Sequence, residues 1–332
     1  MSWLQVTAGV ALLITVVVDL VWTALAAGSG AGPLTGRLGR FSWSLALRLH
    51  RRRRSHRVLS ASGVLVALAL LMVWILITFS GWALILNAST GAVRHAQTGQ
   101  PADLVERLYY IGYTIFTLGN GEFRPGSGVW QLAAVLATSS GLVLVTMAIT
   151  YLVPVASAVA QRRQLAAYVH SLGPDAHTIL VRAWNGSDFG TLSQHLSSLV
   201  PMLHSVGQQH LAYPVLHYFH AVDPQSAVAP NLVHLDEAVE LLHHGVDPDV
   251  RPDPGLLRVV DETLDELLGT MSARRPDVLE QRPNLGLEPL RAAGIPTVDE
   301  SQWRHGSAGR SERSERRAAA LADDGWTREE VG

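Results

Sequence analysis

The run of residues with the clearest chemical potential is Thr117-Leu118-Gly119-Asn120-Gly121-Glu122-Phe123-Arg124-Pro125. Gly119 and Gly121 stand at alternate positions in this run. Successive carbonyl groups can be aimed to one side only when the backbone takes alternating unusual angles, and glycine adopts such angles without a side-chain penalty. A Gly-x-Gly pair also fits an ordinary turn, so its meaning depends on the elements around it.

Histidines form the other group of reactive side chains. Ten of the fourteen lie between His170 and His244, including His217 with His220. A spacing of three on a helix can bring two imidazoles to one metal, and a histidine cluster can sense pH. No acid or cysteine pattern completes a ligand set, the chain has no cysteine, and no serine–histidine–acid constellation stands out. We therefore expect no catalytic residues, no bound metal, no cofactor and no enzyme activity.

The composition points to a membrane protein. Hydrophobic residues make up 48% of the chain and charged residues only 16%, whereas soluble proteins carry about 25% charged residues. A helix of about 20 mainly apolar residues crosses a bilayer, and three stretches qualify: Trp3 to Ala27, Ser60 to Leu86 and Val129 to Ala160. Most acids lie after Ala160, which indicates a second part of the chain in water.

Arginines predict the orientation in the membrane. No acid occurs from Leu20 to Ala102, and this stretch holds Arg37, Arg40, Arg48, Arg51, Arg52, Arg53, Arg54 and Arg57. By the positive-inside rule, this basic loop is cytoplasmic, and Arg162 with Arg163 gives a second cytoplasmic signal. We expect a multi-pass protein of the cell membrane with its N-terminus outside and its C-terminal half inside. Phe41 to Leu49 fits a short interfacial helix or a plain basic linker equally well.

Leu104 to Phe116 is amphipathic, carries tyrosines at 109, 110 and 113, and is too short to cross a bilayer. It leads directly into the glycine-containing run and then into the third span, so both of its ends lie on the outer side. Such a half-length helix followed by extended backbone predicts a re-entrant loop, which is tolerated at membrane depth only if it is buried in protein or lines water.

The order of a helix, a short pore helix, Thr-x-Gly-x-Gly-acid, proline and a helix resembles the potassium-channel pore family in its two-helix-per-subunit form. The resemblance covers about Ser60 to Gln161. It implies a homotetramer that conducts monovalent cations passively. It also implies that filter carbonyls replace the water of a dehydrated ion. Carried over to this chain, the filter consists of Thr117, Leu118, Gly119, Asn120 and Gly121, with Glu122 as the acid at the outer mouth.

Asn120 departs from the family, which has tyrosine or another aromatic residue at this place. The ring braces the filter there, so in this chain the brace is weakened or replaced by hydrogen bonds. This leaves a non-selective cation channel as an alternative to a potassium channel. A non-conducting membrane sensor or scaffold with a vestigial pore is a second alternative. An uptake transporter is disfavoured because it repeats the loop within one chain.

The third span contains candidates for gating and for the cavity wall. Family members open by bending of the inner helix, so Gly141 and Pro154 are hinge candidates. Close helix packing is an equal alternative for Gly141. Ser139, Thr146 and Thr150 fall near one helical face and either line a water-filled cavity or hydrogen-bond to their own backbone.

One acid, Asp19, falls within the first span. An acid at membrane depth is a functional hypothesis by default, but we favour a structural ion pair with arginines of the basic loop. No arginine-rich helix with a spacing of three occurs, so we expect no voltage sensor of that type.

The predicted fold is an all-α membrane protein with three transmembrane helices, a re-entrant pore helix with its filter loop, and a mainly helical cytoplasmic domain. The expected divisions are residues 1–58, 59–161 for the pore, 162–300 for the cytoplasmic domain and 301–332 as a flexible polar tail. His177 to Trp184 fits one short strand. We expect contacts with membrane lipid, none with nucleic acid, and an unidentified regulator of the cytoplasmic domain.

Overall fold

The structure is a computed structural model that describes residues 2–25, 30–53, 56–271, 285–308 and 311–331. Ala27 of the predicted first span and Arg54 of the predicted basic loop lie outside these described residues, as do residues 272–284.

Within these ranges the chain forms α-helices and two short strands. The helices of the first half are α1 Trp3–Leu25, α2 Pro33–Arg53, α3 His56–Asn87, α4 Leu104–Ile115 and α5 Val129–Leu172. Those of the second half are α6 Ala176–Ala183, α7 Gly190–Ala212, α8 Val228–Glu240, α9 Pro254–Met271, α10 Glu288–Ala292, α11 Glu300–Ala308, α12 Ser311–Asp324 and α13 Arg328–Val331. The strands are β1 Val93–His95 and β2 Phe123–Pro125. Helices α1, α3 and α5 are long and apolar enough to cross a membrane, which confirms the predicted all-α membrane protein.

The chain divides into two compact units. Unit 1 consists of Met1–Phe41 and Leu65–Val155, and unit 2 of Ser42–Val64 and Ala156–Gly332. Their boundaries differ from the expected divisions, because the end of α2 and the start of α3 belong with the C-terminal half.

Unit 1 is held together by close helix contacts and an aromatic core. A Cβ atom on Gly9 of α1 would lie 2.5 Å from the carbonyl oxygen of Gly81 on α3. Small residues of this kind let helices approach closely where lipid removes the hydrophobic driving force. Trp82, Tyr110 and Ile111 lie in the buried cluster that joins α3 to α4.

Helix α4 matches the predicted pore helix, and its start is fixed by a capping box. The Asp103 carboxylate accepts from the Glu106 backbone N–H at 2.9 Å, and the Glu106 carboxylate accepts from the Asp103 N–H at 2.7 Å. Such reciprocal bonds satisfy two of the free N–H groups at a helix start. Strand β1 pairs antiparallel with β2, with Arg94 opposite Arg124. This pairing, which the sequence analysis missed, ties the segment before α4 to the segment after its loop.

Unit 2 is built around α8, which is buried along its whole length. Apolar residues at helical spacing pack around it, including Leu199 and Leu203 of α7 and Leu264 and Leu268 of α9. The helix ends in a π-turn at Leu241–Gly245. The expectation of a mainly helical domain after the third span is confirmed.

Two segments differ from the sequence expectations, and a third is helical, as one alternative had it, but longer than expected. The described part of the expected flexible tail contains the helices α11, α12 and α13. Buried acids of α8 pair with arginines of α12 and α13. The expected strand at His177 to Trp184 is helix α6, started by Asp175, whose carboxylate accepts from the Thr178 N–H at 2.9 Å. Phe41 to Leu49 lies inside the longer helix α2.

Candidate functional site

The loop after α4 has an alternating backbone. The φ angle is 58° at Thr117, 62° at Gly119 and 78° at Gly121, and it is not positive at Leu118 or Asn120. Among the described non-glycine residues, Thr117 alone has a positive φ. This conformation is uncommon for a residue with a side chain, and such strained positions cluster at functional sites. The alternation is the backbone pattern that aims successive carbonyls to one side.

The loop is exposed in the single chain. Leu118 is 75% exposed, and a Cβ atom on Gly119 or Gly121 would meet no atom within 4 Å. Open space around both glycines means that steric crowding does not explain their presence. Their positive φ angles do, because an L-residue with a side chain is strained there.

Besides backbone bonds from the Thr117 and Leu118 N–H groups, two side-chain hydrogen bonds tie the loop to α4. The Asn120 side-chain amide donates to the Tyr109 hydroxyl, and the same nitrogen lies 3.5 Å from a Glu122 carboxylate oxygen. The Tyr113 hydroxyl donates to the Phe123 carbonyl oxygen at 3.0 Å. The Tyr109 and Tyr113 rings meet edge to face with centroids 5.3 Å apart. The bond between Asn120 and Tyr109 agrees with the alternative in which hydrogen bonds replace the aromatic brace of the family.

A cavity of about 680 Å³ lies beside the loop in unit 1. Its walls come from α4, the loop and the start of α5, and they include Tyr110, Thr114, Thr117, Phe123, Thr138 and Ser139.

Comparisons with known proteins agree with this arrangement. The family described as "Ion channel" matches residues 70–158, which contain α4, the loop and most of α5. The "Uncharacterized membrane protein YdjJ" of Bacillus subtilis (strain 168) is 33% identical over 300 residues, which cover 90% of this chain and 87% of the relative. The chain therefore belongs to the same family as this membrane protein, and its residues 70–158 form an ion-channel domain. The resemblance to the potassium-channel pore family is confirmed. No solved structure matches the chain.

In this ion-channel domain, Gly141 of α5 packs against the end of the pore helix. A Cβ atom there would clash with the carbonyl oxygen of Ile115, the last residue of α4. The contact favours the packing alternative for Gly141. Pro154 lies inside the continuous helix α5, where proline removes one backbone hydrogen bond. Its role as a hinge stays a prediction.

The three predicted cavity-lining residues of α5, Ser139, Thr146 and Thr150, are exposed in the single chain. Ser139 lines the cavity beside the loop. The Thr146 hydroxyl donates to the Leu142 carbonyl oxygen at 2.8 Å, as in the alternative of bonding to the backbone. It stays a prediction that Ser139, Thr146 and Thr150 line a water-filled cavity.

Asp19 is fully buried, and neutral donors surround it. One carboxylate oxygen accepts from the Leu34 N–H at 2.7 Å and the Thr35 N–H at 3.3 Å, both in the first turn of α2. The other accepts from the Thr35 hydroxyl at 2.7 Å and the Trp74 indole N–H at 2.9 Å. Among the described side chains, Asp19 has no arginine partner, contrary to the expectation, and it caps α2, because a helix start offers free N–H groups and a partial positive charge.

Two buried histidines of unit 2, His220 and His234, lie in different surroundings. His220 bonds the Asp324 carbonyl oxygen at 2.7 Å and the His56 ring at 2.9 Å. Both ring nitrogens of His234 are buried and have no hydrogen-bond partner among the described residues, and burial lowers the pKa of His234 to about 4. Among the described residues, no three histidine or acid side chains are arranged to hold a metal.

Sequence reasoning missed Tyr109 as the partner of Asn120. The tyrosine run of the pore helix was the only signal. A hydroxyl two turns before the end of a helix lies within reach of a polar side chain on backbone that folds back past that helix.

Proposed function

We propose that the protein is a homotetrameric channel that conducts potassium passively. In this proposal Thr117, Leu118, Gly119, Asn120 and Gly121 form the selectivity filter, and Glu122 supplies negative charge at its outer mouth. The N-terminus lies outside the cell membrane, and the residues after Arg163 are cytoplasmic. The observation that carries the proposal is the alternation of positive φ angles at 117, 119 and 121.

This alternation suits cation coordination because backbone carbonyls in a filter replace the hydration shell of the ion. Two of the three positions are glycines, for which the conformation has no steric penalty. At Thr117 the conformation costs about 1–3 kcal/mol, and an ordinary turn does not require that cost. The threonine hydroxyl then faces the same path as the carbonyls.

The exposed loop supports the oligomer. Backbone at membrane depth must be covered by protein or face water, yet Phe116 and Leu118 are 44% and 75% exposed in one chain. One loop cannot surround an ion by itself. Four copies around an axis would cover the apolar side chains and enclose the ion with carbonyls.

Electrostatics favour cations over anions. The C-terminal end of α4 leads into the loop, and a helix C-terminus carries a partial negative charge. Glu122 adds a full negative charge, and no basic residue occurs between Tyr109 and Phe123.

A non-selective cation channel is the second candidate, and Asn120 is the observation that favours it. The hydrogen bond to Tyr109 ties this side chain to α4, but asparagine is smaller than the aromatic residue of the family. Selectivity for potassium over sodium then depends on how firmly this bond holds the loop.

A matched pair of glycine variants in liposomes tests the filter assignment. Gly119 and Gly128 have φ angles of 62° and 64°, and a Cβ atom at either would meet no atom within 4 Å. Alanine therefore strains both positions similarly, but only Gly119 lies in the proposed filter. We expect Gly119→Ala to abolish potassium flux and Gly128→Ala to retain it, with both variants assembling as the native chain does. Native flux in Gly119→Ala would refute the filter assignment.

A further inference from the structure

Unit 2 contains a cavity of about 350 Å³ that is remote in sequence from the proposed filter. The first turns of α3, the part of α5 near Arg162, the segment 219–228 and the end of α12 form its walls. Charged groups and apolar groups share these walls. The apolar ones are Val64, Val159, Phe219, Ala221, Val222 and Val228.

Arg162 is a buried cation in this wall. It is 5% exposed, and its guanidinium donates to the Leu216 carbonyl oxygen. Among the described residues, no carboxylate lies within 4.0 Å of its nitrogens. A guanidinium stays charged and has five N–H donors, and a buried charge is normally paired. Arg163, which is exposed and lines the same cavity, adds a second positive charge.

Asp324, which is 6% exposed, is the acid whose negative charge acts on Arg162. Burial raises the pKa of Asp324 to about 7, and the charge of Arg162 offsets part of this effect. The protonated form of Asp324 is therefore favoured near neutral pH more than in an exposed aspartate.

Other titratable groups near Asp324 also affect the charge of the cavity. Asp323 is its neighbour on α12 and also raises its pKa. His220 lines the cavity, but burial lowers the pKa of His220 to about 4, so this ring stays neutral. His56 is not among the residues that line the cavity, but its ring bonds His220. The wall thus holds two arginines and two acids, Asp223 and Asp324. It carries an excess of positive charge when Asp324 is protonated.

We propose that this cavity binds a tetrahedral oxyanion of the phosphate or sulfate class, held by Arg162 and Arg163. Arginine matches such groups through two parallel charge-assisted hydrogen bonds. The anion is either free or part of an anionic lipid headgroup, and the valines and Phe219 can accept the apolar part of the latter. The proposal does not depend on the identity of the filter.

Sulfate binding to the full chain in nanodiscs of phosphatidylcholine tests the proposal, with bound sulfate measured by equilibrium dialysis. Sulfate does not titrate between pH 6 and 8, so any pH effect reports the protein. We expect affinity to fall as the pH rises through about 7, because Asp324 then ionises and repels the anion. Asp324→Asn should bind sulfate more tightly at pH 8 and remove this pH dependence.

Arginine variants identify the ligands. Arg163→Gln should weaken sulfate binding about tenfold or more, the loss of one charge-assisted bond, and its exposed position makes misfolding a minor concern. Arg162→Gln should abolish binding. Arg258→Gln, at an exposed arginine of α9 away from the cavity, should bind as the native chain does.

A second set of nanodiscs contains equal parts of phosphatidylglycerol and phosphatidylcholine. It distinguishes a free anion from a lipid headgroup as the natural occupant of the cavity. Loss of sulfate binding there indicates a lipid headgroup as the occupant, and unchanged binding indicates a free anion. Absence of sulfate binding in phosphatidylcholine, or binding that Arg163→Gln and Asp324→Asn leave unchanged, would overturn the proposal.

Discussion

Asp19 in unit 1 and Asp236 in unit 2 are both fully buried carboxylates, yet they are stabilised in opposite ways. Asp19 accepts hydrogen bonds from two backbone N–H groups, a hydroxyl and an indole. Asp236 on α8 is held by the guanidinium groups of Arg313 and Arg317 on α12, and Arg313 Nε lies 2.9 and 3.0 Å from its two oxygens.

The difference follows from the surroundings of each acid. Between apolar helices, neutral donors avoid the desolvation of a second charge. In the core of unit 2, the ion pairs form a network, since Arg317 also reaches Glu240 at 2.6 Å and Arg313 reaches Asp261 at 2.9 Å. Burial alone would raise the pKa of Asp236, but Arg317 and Arg313 lower it below its ordinary value.

Asp236→Asn should have the largest effect. The variant keeps the shape of the side chain but leaves two buried guanidinium groups without their shared counter-charge, which costs about 3–5 kcal/mol. Thermal unfolding of the full chain in detergent measures the loss. Glu312→Gln is the matched control, because Glu312 pairs with Arg316 while 73% exposed, and an exposed pair contributes about 0–1 kcal/mol. Equal losses in the two variants would contradict the buried network.

Acidification should destabilise unit 2 through its buried histidines. Burial lowers the pKa of His220 and His234 to about 4 and that of His210 to about 3, whereas an unfolded histidine titrates near 6.5. At these three histidines the unfolded state binds more protons between these values, so their contribution to the free energy of unfolding falls as pH falls from about 6.5 to 4. The raised pKa of Asp324 acts in the opposite direction, as one group against three.

His234→Phe checks this pH dependence. Phenylalanine keeps a ring at a site where neither histidine nitrogen has a hydrogen-bond partner, and it removes one titrating group. The midpoint of thermal unfolding should fall less steeply with acid in the variant. An identical slope in both proteins would show that His234 is not responsible.

Asp19→Asn should cost less than the same change at Asp236. Asparagine offers one acceptor oxygen instead of two, so it cannot satisfy both the α2 N–H groups and the Trp74 indole, and we expect a loss of about 1–3 kcal/mol. Trp74→Phe, which removes a single donor, should cost about 1 kcal/mol. A loss at Asp19 as large as that at Asp236 would imply a charge partner for Asp19.

Tyr109→Phe should have the smallest effect on stability and a specific effect on transport. The variant removes the hydroxyl that accepts from Asn120, a bond that contributes about 1 kcal/mol. We expect the ratio of potassium to sodium permeability to fall by a factor of about five. Tyr110→Phe is the control, since the Tyr110 hydroxyl bonds Thr114 on its own helix. Equal permeability ratios in both variants would show that the Tyr109 hydroxyl does not contribute to ion selectivity.

The sequence predicts unit 1 well because its signals are local. Length and apolar composition reveal the spans, and the amphipathic pattern of 104–116 reveals the pore helix. The glycines that give the loop its alternating φ angles are adjacent to that helix. By contrast, the partners of Asp19 depend on where α2 begins, and a proline at its first position was the only hint.

The ion pairs of unit 2 could not be predicted from the sequence, because their partners are far apart along the chain. Asp236 and Arg313 are 77 positions apart, and Ser307 to Arg317 reads as a polar repeat when its partners are unknown. The spacing of Arg313, Arg316 and Arg317 fits one helical face, but only the buried acids of α8 make that face a core contact. The oxyanion cavity is likewise assembled from separate segments of the chain.

The most direct test of cation conduction through the loop is ion flux through the native chain in liposomes, with potassium compared with sodium and with the Asn120→Tyr variant alongside. We expect potassium-preferring flux in the native chain, with the preference for potassium kept or increased in the variant. Absence of flux of either ion in both proteins would contradict it.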